Sequence, residues 1–229
     1  MDINYKIYIT SNGFVGEYLK EYFKKNLTEE IDKADIVINT IGILKEEKYT
    51  YEQSHIKKLK ELLPKLKNKK LIHFSALGSK KEHPSRYHQT KALGEEIIKK
   101  NLKNYAILKP SIILGENQKL YKDLEKFKNL PIIFVPKMKV APVEIEKIAK
   151  IIEKIIKENL KGEFEICGKE IVSMKKIFKD GFKKFNKNPI IIEMPKWYFR
   201  LLLPILSRLK ILSKDEYLMI EDNICKGKR

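Results

Sequence analysis

Cysteine is nearly absent from this 229-residue chain, which has only Cys167 and Cys225. That excludes a cysteine-rich disulfide scaffold and a cysteine-rich zinc site, and makes a reducing, cytoplasmic compartment the default expectation. Arginine is scarce as well: Arg86, Arg200, Arg208 and Arg229 are all there are, so nearly all of the 48 basic residues are lysines. Forked readout of phosphates and base edges favours arginine, so the formal charge of +18 argues only weakly for a nucleic-acid binder. A lysine excess mixed with Glu and Ile reads as a genome or growth-temperature bias, and the charge suits a solvated surface, an anionic membrane surface or an acidic partner better than nucleic acid. Long apolar runs are missing too. The densest, Trp197–Leu212 (WYFRLLLPILSRLKIL), is too short and too charged for a bilayer span of about 20 apolar residues. The opening MDINYKIYIT reads as a strand, with no secretory signal visible. The four histidines show no metal-ligand spacing, so no metal site is expected. His73 falls within a strand and reads as a packing residue, while His55, His83 and His88 read as exposed.

What is present is a hydrophobic fraction of 43%, enough for a sizeable core without covalent staples. Apolar runs at 5–10, 35–41, 70–75 and 105–114 alternate with helical-period segments at 14–25, 51–67, 85–100 and 118–129. Further along, 131–135, 163–167 and 190–193 read as strands. Residues 143–157, 173–185, 196–209 and 213–220 read as helices. Buried strands alternating with helices predict an α/β fold: a parallel sheet with helices on both faces, over residues 1–170, and a small C-terminal lobe over 171–229. Ligands of such folds bind at the carboxyl ends of the strands.

Two features fall at those ends. After the first strand comes Asn12-Gly13-Phe14-Val15-Gly16, then a helix. This is the setting in which a helix N-terminus can hold a pyrophosphate. Gly13 would let the backbone approach the ligand, and Gly16 would let the helix pack close to the strand. The first of the three glycines usual in dinucleotide turns is missing; Asn12 tolerates a left-handed conformation and can preserve the turn. Two glycines alone equally suit a tight turn that serves packing. The second feature is Ser75 at the end of the third strand, followed by Tyr87 and Lys91 on one face of a helix. A lysine ammonium near a phenol favours the phenolate, which makes a tyrosine usable as a general acid/base. A hydroxyl at Ser75 could orient a carbonyl.

With these residues in place, the sequence resembles an atypical short-chain dehydrogenase/reductase of the NAD-dependent epimerase/dehydratase superfamily. Within it, the chain is most similar to the branch that includes the nucleotide-binding accessory subunit of respiratory complex I. The matching stretches are Gly13–Gly16, Asp35–Leu44, Ser75–Gly78, Ser85–Glu96, Ile107–Ser111, Pro142-Val143 and Met194–Trp197. The resemblance implies a Rossmann-like sheet and NADP or NAD as cofactor. It also implies a catalytic role for Ser75, Tyr87 and Lys91, with Lys91 on the nicotinamide ribose as well. Asn39 to Gly42 match the strand end beside the cofactor, and Pro110 and Ser111 the loop on the nicotinamide side.

The sequence departs from that family in one region. Members place a strand, a helix and another strand between the first helix and the strand ending in Asn-x-x-Gly, and there hold the adenosine. Here only Asn26–Lys33 separates the first helix from Asp35. Glu30 and Asp32 read as a solvated acidic turn. The adenosine half of the site therefore reads as deleted, and the expectation is a degenerate relative with weak or lost dinucleotide binding. Such a protein would serve as a binding or accessory protein linked to respiratory or quinone metabolism, still able to take a small-molecule ligand. The alternatives are an active NAD(P)-dependent oxidoreductase using Ser75, Tyr87 and Lys91 and, more weakly, a nucleic-acid binder. Residues 197–212, with Trp, Tyr, dense Leu and flanking basic groups, suit an anionic membrane surface or a protein partner, or else intramolecular packing. A cytoplasmic location, peripheral on the inner face of the membrane, goes with the first of these.

Overall fold

The computed structural model describes residues 5–116 and 118–226; the first four residues of the opening run and Arg229 lie outside the described residues. In chain order the elements are β1 (Ile7–Ile9), α1 (Phe14–Tyr22), β2 (Ile36–Asn39), α2 (Lys58–Leu62), β3 (Lys70–Phe74), α3 (Arg86–Asn101), β4 (Tyr105–Pro110), β5 (Ile113–Leu114) and α4 (Lys119–Lys126). They continue with β6 (Ile132–Pro136), β7 (Lys139–Val140), β8 (Val143–Glu144), α5 (Ile145–Lys157), β9 (Gly162–Ile166), β10 (Val172–Ser173), α6 (Met174–Lys183), β11 (Ile190–Met194), α7 (Lys196–Arg208) and α8 (Lys214–Leu218).

The chain forms two compact units. The first runs up to Pro110 and takes in Glu144–Ile166; the second combines Ser111–Val143 with the chain from Cys167 onward. This differs from a single cut at residue 170. The reading of 105–114 as one strand hid the exit: the strand stops at Pro110, and the chain leaves the sheet there. Residues 111–143 then build a core with the later segment, in which Leu124, Ile133, Val135 and Val140 pack with Met174, Ile177, Phe182 and Ile191.

The first unit is the parallel sheet expected from the alternation. Its strand order is β1-β2-β3-β4-β9, with every neighbouring pair parallel. Every residue of β2 and β3 is buried, because helices cover both faces and no position can face water. One face packs Val37, Leu71 and Ile107 against Leu59, Leu62 and Ile98. Helix α5 buries Ile145, Ile148, Ala149, Ile152, Ile155 and Ile156 at helical spacing and turns its lysines outward. Each of those isoleucines contributes roughly 1.5–3 kcal/mol on burial. The Tyr22 hydroxyl of α1 donates to Glu153 of α5 at 2.9 Å.

Strand β1 lies at the edge of this sheet. The edge is where the reduced fold departs from a full dinucleotide-binding sheet, in which further strands flank the first on that side. What remains there is a single bridge, Ile7 to Leu27, closed by the Thr28 N–H donating to the Ile7 carbonyl at 3.0 Å. Two short 3-10 turns, Lys24–Asn26 and Ile31–Lys33, carry the chain past it to β2. Glu30 and Asp32 lie exposed in this stretch, Glu30 paired with Lys33 at 2.6 Å, as the reading of a solvated turn expects.

Gly16 is fixed by packing. A Cβ there would fall 2.1 Å from the Ser11 carbonyl oxygen and 3.1 Å from the Thr40 hydroxyl. The first obstacle is backbone and cannot swing away, so Gly16→Ala should destabilise the protein by about 2–3 kcal/mol. Thermal melting checks this; an unchanged midpoint would mean that the β1–α1 turn relaxes freely.

In the second unit, β6 and β11 form a two-stranded parallel sheet, and β7 pairs antiparallel with β10. Cys167 and Cys225 are joined by a disulfide, S–S 2.09 Å. Two cysteines are too few for a scaffold of bridges but enough for one. Among the described residues no helix is long and apolar enough to cross a membrane.

Candidate functional site

The end of the first sheet holds a network of buried and half-buried polar groups. Asn39, the last residue of β2, is its hub. Its Oδ1 accepts from the Thr10 hydroxyl at 3.0 Å and the Ile41 N–H at 3.1 Å, and its Nδ2 lies 3.1 Å from His73 Nδ1. Since Oδ1 already accepts twice, the amide nitrogen donates to the histidine, which places the His73 proton on Nε2. The Thr40 N–H donates to the Thr10 hydroxyl at 3.1 Å, and the Ser11 and Thr40 hydroxyls share a bond of 2.8 Å. Asn39 thus ties the ends of the first three strands together.

At the glycine turn, Gly13 caps α1 in an extended conformation, and a Cβ there would meet nothing within 4 Å. The protein's own packing leaves this position open, which is compatible with close approach of a phosphate to the backbone. Asn12 does not use the left-handed conformation available to it: the described non-glycine residues at positive φ are Asn68, Asn159, Asn186 and Lys210. Its side chain instead accepts from the Lys20 ammonium at 2.5 Å. Phe14 and Val15 open the helix half-buried.

Ser75, Tyr87 and Lys91 are all buried in the first unit. Ser75 is held by its N–H, which donates to the Leu108 carbonyl at 2.8 Å and so extends the β3–β4 ladder. Its hydroxyl donates to the buried Glu95 carboxylate. Glu95 pairs in turn with Lys109 at 2.7 Å, and Lys109 with Glu163 at 2.5 Å. The serine expected to face a substrate carbonyl is thus the buried end of an ion network that runs from α3 across β4 to the exposed Glu163 of β9.

Lys91 ends beside Gly42. A Cβ on Gly42 would lie 2.9 Å from the lysine Nζ, and the ammonium donates to the Phe74 carbonyl at 2.9 Å. Burial pulls it down to about 8, with Glu95 opposing the shift. Tyr87 sits among aromatic rings: Tyr51, His55 and His88 meet it edge-on at 5.9, 5.6 and 5.1 Å. Burial pushes its phenol well above the ordinary value, and the lysine does not offset this. The sequence reading had Lys91 lowering the tyrosine; in the fold, desolvation dominates. A phenol held protonated can donate a proton but does not serve as a base at neutral pH.

His55, His83 and His88 are buried, although their sequence context read as exposed. His55 turns inward because residues Glu52–Lys57 form a π-helical turn that continues into α2. Such turns carry one extra residue per cycle and shift the side chains that follow. Its Nε2 accepts from the Ile43 N–H at 3.3 Å, and Nδ1 lies 2.8 Å from the Thr90 hydroxyl. That hydroxyl donates to the Arg86 and Tyr87 carbonyls at 2.9 and 3.0 Å, so His55 donates through Nδ1 and is neutral. Burial lowers His55 to about 2 and His73 to about 3, with Lys91 adding to both shifts. His73 is a packing residue as expected.

Pro110 closes β4, and its carbonyl accepts from Leu77 N–H at 3.0 Å. Ser111 begins the second unit. Its hydroxyl donates to Asn223 of the C-terminal tail, 2.5 Å from Oδ1 and 3.1 Å from the carbonyl. The two residues matched to the nicotinamide loop thus belong to different units. Sequence reasoning gave no role to His55, Glu95 or Lys109. The signal for Glu95 was its place four residues after Lys91, on the same face of α3.

Residues 11–153, more than half of the chain, match the NAD-binding family described as male sterility protein. The chain belongs to that family. Members of this NAD-binding family share the short-chain dehydrogenase/reductase type of sheet found here. The chain is 25% identical over 222 residues to NADH dehydrogenase [ubiquinone] 1 alpha subcomplex subunit 9 of Dictyostelium discoideum, a mitochondrial protein, covering 89% of this chain and 62% of that one. It is 22% identical over 201 residues to the mitochondrial NADH-ubiquinone oxidoreductase 40 kDa subunit of Neurospora crassa, covering 84% and 54%. The chain therefore spans less than two thirds of the length of these relatives. Among solved structures it resembles dTDP-4-dehydrorhamnose reductase of Bacillus anthracis in complex with NADP, with TM-score 0.70, 16% identity and 85% of each chain covered. That likeness concerns the fold.

Proposed function

We propose that this NAD-binding-family chain is a reduced relative in which dinucleotide binding is weak or lost, and that it works as a binding or accessory protein. The observation that carries the reading is β1 at the sheet edge, with Leu27 as its only neighbour on that side among the described residues. A dinucleotide needs two half-sites. The turn at Gly13 offers one, but no strand end lies beyond β1 to take the adenosine ribose. The groups that would act on a substrate are also engaged within the protein, Ser75 with Glu95 and Lys91 with the Phe74 carbonyl. Subunits of mitochondrial NADH dehydrogenase among the relatives support a role beside respiratory or quinone metabolism, with a protein partner. Residues 197–212 are the segment for that contact or for an anionic membrane surface, and a cytoplasmic, membrane-peripheral location goes with it.

Calorimetric titration with NADPH and with NADH tests the reading. The expected result is no saturation in the low-micromolar range, since losing one half-site's contacts at about 1.4 kcal/mol per tenfold weakens binding by orders of magnitude. Low-micromolar binding of either nucleotide would sink it.

A second reading is favoured by the open turn at Gly13 and the retained Tyr87 and Lys91. In an active oxidoreductase, Tyr87 would donate the proton, Lys91 would hold the ribose and Ser75 would orient a carbonyl once released from Glu95. The cofactor, NADP or NAD, would supply the hydride. This reading requires Tyr87→Phe to abolish NADPH-dependent reduction of a carbonyl or quinone substrate.

A further inference from the structure

The second unit exposes an apolar surface of unusual extent. On α7 and at its C-terminal cap, Trp197, Leu201, Ile205 and Leu209 recur every fourth residue and are each at least 60% exposed. Only Phe199 of this helix is buried. The two-stranded sheet contributes a second part. Its register pairs Ile132 with Ile190 and Phe134 with Ile192, and all four side chains are exposed, while the alternate residues Ile133, Val135 and Ile191 fill the core. The Phe134 ring lies 6.2 Å from that of Tyr198, so the sheet face and the helix N-terminal end join. Solitary exposed apolar residues are ordinary; a helix stripe continuous with a sheet face is not.

The charges around this surface decide its occupant. From Phe185 to Leu212 the chain carries Lys187, Lys196, Arg200, Arg208 and Lys210 against the single acid Glu193, and α8, which packs on α7, adds Lys214, Asp215 and Glu216, so the balance stays basic. Within the α7 stripe there is no acidic or amide side chain that could pair specifically with another protein. Protein interfaces are depleted in lysine at their centres. Interfacial helices have the opposite pattern: an apolar face with Trp, and long basic side chains at its flanks that reach to headgroups.

We infer that α7 and the outer face of β6–β11 together form a docking surface for an anionic lipid bilayer, with Trp197, Leu201, Ile205, Phe134 and Ile190 entering the interface and the flanking lysines and arginines meeting lipid phosphates. This deepens the interaction-surface part of the function proposed above and does not depend on the state of the dinucleotide site.

Trp197 is the only tryptophan, so its emission reports on the surface directly. The test adds phosphatidylcholine vesicles, with or without phosphatidylglycerol, to the full chain and follows Trp197 emission together with co-sedimentation. The expected result is a blue shift and co-sedimentation with the anionic vesicles only, both reversed by high salt. Leu201→Ser with Ile205→Ser, at exposed positions where circular dichroism should stay unchanged, is expected to weaken partitioning about tenfold or more. Absence of binding to anionic vesicles at low salt overturns the inference, even if the nucleotide titration shows no binding. So does binding that survives the double substitution, which would reduce it to diffuse lysine charge. A blue shift that grows with protein concentration in the absence of vesicles also overturns it, and assigns the surface to a second copy of the chain.

Discussion

Lowering the pH from 7.5 to 5 is expected to reduce the unfolding free energy by about 4 kcal/mol through His55 and His73 alone, since each proton taken up only by the unfolded chain costs about 1.4 kcal/mol per pH unit. Both imidazoles are buried and neutral, held by Ile43 and Thr90 in one case and by Asn39 in the other. Burial and the neighbouring Lys91 ammonium put them near 2 and 3 in the folded state, against about 6.5 when unfolded. A base whose folded value is depressed contributes stability that is complete above its unfolded value and is lost as pH falls towards the folded one. The window therefore opens just below pH 7 and continues towards pH 3. Carboxylates paired in the fold, such as Glu163, add their own loss only at lower pH. Urea unfolding at pH 7.5, 6 and 5 measures the slope. A His55→Asn, His73→Asn double variant should be less stable at pH 7.5 and should lose about 4 kcal/mol less than the parent over the same range. A flat profile for the parent chain would mean that both imidazoles gain protons without unfolding.

The alternation of buried strands and helices was legible because a doubly covered parallel strand leaves no polar position, and β2 and β3 bury every residue. The reduction of the sheet was legible from the short stretch between α1 and Asp35, which has no room for two strands and a helix. Leu27 was not: one residue bridging an edge leaves no periodic trace. The division into units stayed hidden because it depends on which segments share a core. Residues 111–143 have the same apolar pattern whether they complete the sheet or pack on α6. At the site, residue types and spacing located Ser75, Tyr87 and Lys91 but not what they do. Burial, a tertiary property, raises the Tyr87 phenol, and a carboxylate on the neighbouring helix takes the Ser75 hydroxyl. The π-turn that buries His55 depends on the i to i+5 hydrogen bonding of one cycle, which hydrophobic periodicity does not encode.

A consistent picture links these features. In a catalytic sheet the polar groups at strand ends face a ligand and are left partly unsatisfied by the protein. Here Asn39, His73, Thr10 and Thr40 satisfy one another, and Ser75 closes onto Glu95, Lys109 and Glu163. Bonds closed in this way rigidify the buried side chains among them, Asn39, His73, Ser75 and Glu95. Lys91 is the exception, a buried cation, and taking it out of water costs the fold desolvation energy. Lys91→Met should therefore leave the protein at least as stable as the parent at pH 7, since a hydrophobic side chain of similar volume carries no desolvation penalty.

Reducing the Cys167–Cys225 bridge, or replacing Cys225 by Ser, is expected to cost the second unit up to about 4 kcal/mol, the chain entropy of a closed loop of this length. The two cysteines are 58 residues apart in sequence, and the loop between them contains α6, β11, α7 and α8. The bridge also fastens a tail that the protein uses internally. Asn223 donates its N–H to the Lys139 carbonyl at 2.9 Å, accepts from the Ala141 N–H at 3.0 Å and receives the Ser111 hydroxyl. The Lys139 N–H donates to Asp222 at 2.7 Å. Once the bridge opens, these bonds must hold the tail alone, and each contributes only about 1 kcal/mol. Hydrogen exchange should then rise at Lys139, Ala141 and Asn223 together, while the amides of β2 and β3 in the other unit stay protected. Equal urea midpoints for the oxidised and reduced chain, with unchanged exchange at these three amides, would show that the tail is held by its hydrogen bonds and that the bridge adds nothing.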